Sequence, residues 1–332
     1  MSDAISLLDG GTLTSVQDAS GRRGLERYGV PSSGACDPAS ARLANLLVAN
    51  DPDAALLEAT ASGPTIRFDL AAPRGVAITG AELGGMLDGL PLPAGHARVA
   101  RPGSILRFTG RRVGLRAYVA IAGGIDVAPV LGSAATDLRS GFGGHDGRWL
   151  EDGDRLPLGP SIGGEIRRAI QPGVASSGPI RVLRGPHAAR FTSAALSALT
   201  TASWSVTDAS DRAGLRLSGV RLAHGDAGPE VASIGLPIGA IQVPADGQPI
   251  IMLADRPVTG GYTVIATVIR ADIGRAAQLA PGDLLRFRES GVDEALAALR
   301  DANRRLSELE TIPIDDDAGA WAGALPPDWR SA

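Results

Sequence analysis

The sequence predicts a mainly β protein with few short helices, built as two tandem β-barrels by internal duplication. Three observations carry this expectation. The segment "SVQDASGRRGLERYGV" at 15–30 returns 190 residues later as "SVTDASDRAGLRLSGV" at 205–220, with ten of sixteen positions identical. Gly (44) and Pro (23) make up about a fifth of the chain, which leaves little room for long helices and suits short strands joined by tight turns. At 332 residues and 44% apolar, the chain is long enough for two cores.

The elements follow in order from local pattern. "DPASARLANLLVAN" (37–50) reads as a helix, with Asp37 as its cap, a proline in the first turn, and Leu43, Leu46 and Leu47 on one face. "PGSILRF" (102–108) and its echo "PGDLLRF" (281–287) read as a turn entering a strand, and "EDGDRLPLG" (151–159) as a third start of that kind. "RVGLRAYVAIAGG" and "QPIIMLADRPVTGGYTVIATVI" read as strands rich in Val, Ile and Tyr with glycine punctuation. "FTSAALSALTTA" (191–202) is a second helix candidate, and "SGVDEALAALRDANRRLSELE" (290–310) is the clearest amphipathic one. The expected division is a first barrel over 1–165, a connector over 166–179, a second barrel over 180–290, and a helix with an acidic, Pro/Ala-rich tail over 291–332.

Composition excludes several functions. A net charge of −4 gives no sequence-independent grip on nucleic acid or an acidic membrane. The single cysteine, Cys36, forbids an internal disulfide and suits a reducing compartment. No signal-peptide pattern opens the chain, and "AYVAIAGGIDVAPVLGSAA" is too broken by glycine, proline and Asp126 to span a bilayer. A soluble cytoplasmic protein is expected. All 32 basic residues are arginine, so the chain offers no Schiff-base, P-loop or biotin-carrying lysine. Its four histidines (His96, His145, His187, His224) are scattered, and no metal site is expected.

Three stretches carry chemistry-bearing residues. In "SVQDASGRRGLERYGVPSSGACD", Gln17, Arg22, Ser32 and Ser33 read either as the lining of a polar pocket or as a structured turn tied by Arg22. In "SDRAGLRLSG", Ser210, Asp211 and Arg212 are adjacent, and a structural Asp–Arg pair is the plain alternative to a site. In "GAIQVPADGQPIIMLADRPVTGGY" (239–262), the polar residues Gln242, Asp246, Gln248, Asp255, Thr259 and Tyr262 lie between apolar strands. Gly260 and Gly261 there permit close backbone approach to a small molecule.

On these stretches, together with "GVPSSGACD", "LANLLVAND", "LLEATASGPTIRF" and "PGDLLRF", the chain resembles the allophanate hydrolase subunit 2 family. That family is also described as biotin-dependent carboxyltransferase or KipA-like, and its bacterial members include the C subunit of ATP-dependent 5-oxoprolinase. The resemblance spans about residues 5–290 and implies two cyclophilin-like barrels. Departures from the family pattern are Cys36 for the usual Met, Pro257 and Val258 within "RPVTGGY", "SDRAG" for "SDRMG", and "GSAAT" at 132–136.

The resemblance implies a component of 5-oxoprolinase that activates 5-oxo-L-proline for hydrolysis to L-glutamate. Its partners would be a KipI-like subunit (the B subunit of 5-oxoprolinase, or allophanate hydrolase subunit 1) and a third hydrolase subunit. ATP with Mg would be shared with the partner. The alternatives are a carboxyltransferase component of a urea carboxylase system, with biotin supplied on another chain, and a non-catalytic antagonist binding a KipI-like kinase inhibitor. Candidate reacting residues are Arg22, Asp211, Arg212, Gln242 and Asp255. Candidate substrate-binding residues are Gln17, Ser32, Ser33, Ser210, Asp246, Gln248, Thr259, Gly260, Gly261 and Tyr262.

Overall fold

Strand Arg74–Glu82 buries seven consecutive residues, so both of its faces need cover. It belongs to a five-stranded sheet in the order Leu13–Gln17, Leu56–Thr60, Val113–Ile121, Arg74–Glu82, His96–Ala100. On one face a six-stranded sheet closes over it: Arg155–Pro157, Ala4–Asp9, Thr65–Asp69, Ile105–Phe108, Gly85–Leu87 and Leu90–Pro91. Ile5, Leu7, Phe68 and Leu106 from that sheet meet Leu57, Val76, Ile78 and Val119 in one core. The other face is covered by helix Pro38–Leu47, whose Leu43, Ala44 and Leu47 pack with Ala77, Tyr118 and Ala120. Asp37 caps that helix by accepting from the Ser40 backbone N–H at 3.2 Å and the Ser40 hydroxyl at 2.7 Å.

In this computed structural model residues 3–161, 167–169, 178–308 and 311–313 are described. The second half has its own core, around Trp204, Leu215, Ile241, Ile251, Ile265 and Phe287. Its sheet runs Leu284–Leu285, Trp204–Val206, Gly214–Ser218, Ile250–Met252, Ala240–Val243, Thr259–Val268, Ile180–Arg184, Phe287–Glu289, with Glu230–Gly235 also paired to Thr259–Val268. The first and last members are separated only by Arg286. One short segment therefore pairs with both ends of the sheet and draws it into a nearly closed barrel. The chain is mainly β with few helices, as its breaker-rich composition requires.

Beside helix Pro38–Leu47, the other two helix-forming stretches are Ser193–Thr201, capped by Thr192 at 3.1 Å, and Val292–Ser307, none of whose residues is buried. A further short helix, Ile273–Ala277, has no signal in the sequence pattern. Thr311–Pro313 pairs with Arg167–Ala169. The rest of the acidic tail, and 166 and 170–177 of the connector, lie outside the described residues.

The two copies of the repeat diverge after their shared strand start. Leu13–Gln17 and Trp204–Val206 are both strands, but the first copy then enters a loop with the 3-10 turn Glu26–Tyr28. The second copy goes directly into strand Gly214–Ser218. Gly21 forces the difference in part. Its φ is +63°, and a Cβ there would lie 2.3 Å from the Ser32 carbonyl oxygen, so the loop folds back on 32–34 where only glycine fits.

Candidate functional site

A cleft of about 840 Å³ lies over the strands Gly214–Ser218, Ala240–Val243 and Ile250–Met252 of the second half. Five of the residues singled out in the sequence line it: Asp211, Gln242, Asp246, Gln248 and Tyr262. The 244–248 turn carries two of them, with Asp246 Oδ1 accepting the Gln248 N–H at 3.0 Å and Gln248 Oε1 accepting the Gly219 N–H at 2.8 Å. Asp211 Oδ1 accepts the Ala213 and Gly214 N–H groups at 2.8 and 2.9 Å, which fixes the carboxylate at the strand entry. Gln242 is 5% exposed, and its Nε2 donates to the Tyr262 carbonyl at 3.4 Å. A Cβ at Gly260 would sit 2.6 Å from that Nε2, so this glycine makes room for the Gln242 amide. Tyr262 stands in the open, 44% exposed.

The two cleft arginines are absent from the sequence candidates. Arg139 reaches the cleft from the first half, on a loop pinned by Asp137, whose Oδ1 accepts the Arg139 and Ser140 N–H groups at 3.1 Å each. Arg216 comes from the middle of strand Gly214–Ser218. Its signal lies in the repeat itself, where "GLRLSG" alternates exposed and buried positions.

Arg22, Arg212 and Asp255, read as reacting residues, are buried, and none of them lines the cleft. Arg22 is 1% exposed and binds carbonyls of the 130–135 loop, Nε to Val130 at 3.0 Å and Nη2 to Ala135, with its guanidinium 4.6 Å from the Phe142 ring centre. Arg212 does not pair with the adjacent Asp211. It forms a two-pronged pair with Asp255 (2.8 and 3.1 Å), donates to the Gly34 carbonyl at 2.8 Å, and bonds Glu58 of the first half.

Glu58 is also absent from the sequence candidates, although a carboxylate inside the fully buried strand Leu56–Thr60 is a legible signal. It accepts the Cys36 N–H and the Tyr118 hydroxyl, each at 2.8 Å. Burial alone would raise its pKa, but Arg212 and Arg116 hold it below the ordinary value. Arg212 is driven the other way: burial opposes its charge, yet Asp255 and the other anionic neighbours keep its pKa well above the ordinary value. Gln278 completes the junction. Its Oε1 accepts the Leu115 and Arg116 N–H groups, and its Nε2 donates to Asp37 and the Arg116 carbonyl, all at 3.0 Å.

The remaining sequence candidates lie outside the cleft lining. Gln17 is fully buried and donates to Ser15 Oγ at 3.0 Å and to the Thr136 carbonyl at 3.3 Å. Ser32 accepts from Arg256 Nη1 at 3.1 Å, and Ser33 is buried with φ +51°. Ser210 Oγ clasps the Arg216 backbone, accepting its N–H at 3.0 Å. Thr259, Gly260 and Gly261 lie on the strand paired with Glu230–Gly235 and are not among the cleft's lining residues. Cys36 is fully buried, and burial pushes its thiol up to about 12, so it is no nucleophile. Among the described residues, no group of three or more His, Cys, Asp or Glu converges to hold a metal.

The two β-rich halves are joined by a buried ionic junction, and a polar cleft lies on the second half. The chain belongs to the family described as "Carboxyltransferase domain, subdomain A and B", which it matches over residues 28–289. It is 38% identical over 305 residues to the C subunit of 5-oxoprolinase from Escherichia coli, covering 92% of this chain and 97% of that one. The protein of the same description from Haemophilus influenzae is 33% identical, with 93% and 98% covered. Among solved structures, urea amidolyase of K. lactis superposes with a TM-score of 0.87 at 31% identity, covering 95% of this chain but 20% of that one. No described helix is long and apolar enough to cross a membrane.

Proposed function

We propose that this chain is the C subunit of an ATP-dependent 5-oxoprolinase and that the cleft binds 5-oxo-L-proline. The observation that supports this reading most is the extent of the similarity. The chain matches 97% and 98% of the length of two relatives described as that subunit, whereas it spans only a fifth of the urea amidolyase chain. The cleft chemistry suits a lactam. Gln242 and Gln248 each offer an amide that can donate to a carbonyl oxygen and accept from a ring N–H, and Tyr262 adds a hydroxyl at the open side.

A lactam carbon is a poor electrophile, and phosphoryl transfer from ATP to its oxygen would make attack by water at that carbon feasible, releasing phosphate and opening the ring to glutamate. The sequence has no lysine for a phosphate loop, and among the described residues no group of three or more His, Cys, Asp or Glu converges to hold a metal, so we assign ATP and its Mg to the junction with a KipI-like subunit. A third subunit would complete hydrolysis, and the complex would be cytoplasmic. This chain's own task is then to hold and orient the lactam while excluding water until the phosphoryl group has moved.

A second reading, carboxyltransferase of a urea carboxylase system, is favoured by the close superposition on urea amidolyase. It requires biotin carried by another polypeptide, because this chain has no lysine. Co-expression with the KipI-like and third subunits, followed by assay of ADP and glutamate from 5-oxoproline in the presence of avidin, separates the two. Glutamate formation that depends on this chain and ignores avidin is the expected result. An intact complex that leaves 5-oxoproline untouched overturns the proposal and moves the test to urea-type amides.

A further inference from the structure

The arginines of this protein are for the most part committed. Arg74 is paired with Asp3, Arg148 with Asp154, Arg181 with Asp272, Arg184 with Glu289 and Arg212 with Asp255, while Arg22 is held by carbonyls. Arg139 and Arg216 are among those that are not committed. Both line the cleft, and among the described residues neither guanidinium has a carboxylate partner or a side-chain hydrogen bond.

Their backbones are nonetheless fixed. Asp137, fully buried, accepts the Arg139 N–H at 3.1 Å, and Arg22 and Asp18 fasten the preceding 130–135 stretch through Val130, Ser133, Ala134 and Ala135. Arg216 is held by its strand partner Ile250 and by Ser210 Oγ. Two uncommitted cations on rigid supports, one from each half of the molecule, face the same 840 Å³ space.

We propose that Arg139 and Arg216 form a two-sided anchor for the carboxylate of the substrate, so that the cleft selects a small amide bearing its own carboxylate over an uncharged amide. This rests on the cleft being the substrate site. Guanidinium groups match carboxylates in geometry and form charge-assisted hydrogen bonds about twice as strong as neutral ones. The rest of the lining decides between a carboxylate and a phosphate. Asp211 and Asp246 line the same cleft and would repel a polyphosphate, and among the described residues no helix N-terminus lines it to receive one. A monoanion seated between the two arginines leaves the amide end of the ligand to Gln242, Gln248 and Tyr262. The arrangement also explains why the cleft draws a residue from the first half: Arg139 is in place only when the two halves are locked together.

The test uses the full-length chain and probes of defined chemistry. Binding of 5-oxo-L-proline and of 2-pyrrolidinone, the same lactam without a carboxylate, is measured by ligand-observed NMR on the wild type, Arg139→Gln, Arg216→Gln and the double variant, with thermal melts showing that each is folded. The expected result is preference for 5-oxoproline in the wild type. Each single substitution should weaken it by about tenfold or more, with partial recovery in Arg139→Lys and Arg216→Lys, while pyrrolidinone binding stays unchanged. In the intact complex the same substitutions should raise KM for 5-oxoproline far more than they lower kcat. A folded double variant that binds 5-oxoproline as the wild type does overturns the anchor, as does displacement of bound 5-oxoproline by ADP at the same two arginines. Failure of the oxoprolinase reading looks different: no turnover of 5-oxoproline by the complex, with carboxylate binding to the chain still sensitive to both arginines.

Discussion

Arg22 and Arg212 occupy the same position in the two copies of one repeat, and both are buried, yet they live in different electrostatic surroundings. Arg22 is bound by neutral carbonyls and lies against an aromatic ring, and burial lowers its pKa. Arg212 lies between Asp255 of its own half and Glu58 of the other, and its pKa is driven upward. The lesson is that a duplicated motif preserves a residue's depth without preserving its task. The first copy fastens a loop that carries Arg139 to the cleft. The second fastens one half of the molecule to the other.

The comparison predicts unequal damage. Arg212→Ala leaves Asp255 buried without its two-pronged partner and Glu58 with Arg116 alone, and should cost about 3–5 kcal/mol, read from urea unfolding. Arg22→Ala removes hydrogen bonds to carbonyls and the contact with the Phe142 ring, and should cost about 1–3 kcal/mol, with a larger effect on activity than on folding because the Arg139 loop loosens. Equal losses in the two variants would erase the distinction between the two copies.

Acid sharpens the same contrast. Because the folded-state pKa of Glu58 lies below its ordinary 4.5, the stability it contributes is complete above that value and is lost as pH falls through the folded pKa. Glu58→Gln should therefore be less stable than wild type at pH 7, with the gap narrowing below about pH 4. An acid-unfolding series that shows a constant gap would remove Glu58 from the account. The smallest expected effect concerns Cys36, packed at the junction with Ala254 and Ala277. In the native protein it should resist alkylation at pH 8, and it should react only when Arg212→Ala or denaturant opens the junction. Rapid labelling of the folded wild type would show that the junction opens freely.

Much of the cleft was legible in the sequence because its residues cluster locally: Gln242, Asp246, Gln248 and Tyr262 fall within 21 positions. Arg22, Arg212 and Asp255 lie outside the cleft lining, and the string could not show this for a physical reason. An arginine next to glycine and aspartate looks the same in a string whether its guanidinium points to solvent, to carbonyls or to a carboxylate 154 residues away, as Arg212 does to Glu58.

By itself, then, the sequence determined the β-rich class, through its turn residues, the repeat, and the helix capped at Asp37, all of them local in their causes. Tertiary structure alone decided which polar groups meet. Glu58, Arg212 and Gln278 join the halves, and Arg139 enters a cleft built by the other half. Burial and ion pairing depend on what the fold brings near each charge from distant parts of the chain, and the spacing of residues along the sequence carries no record of that.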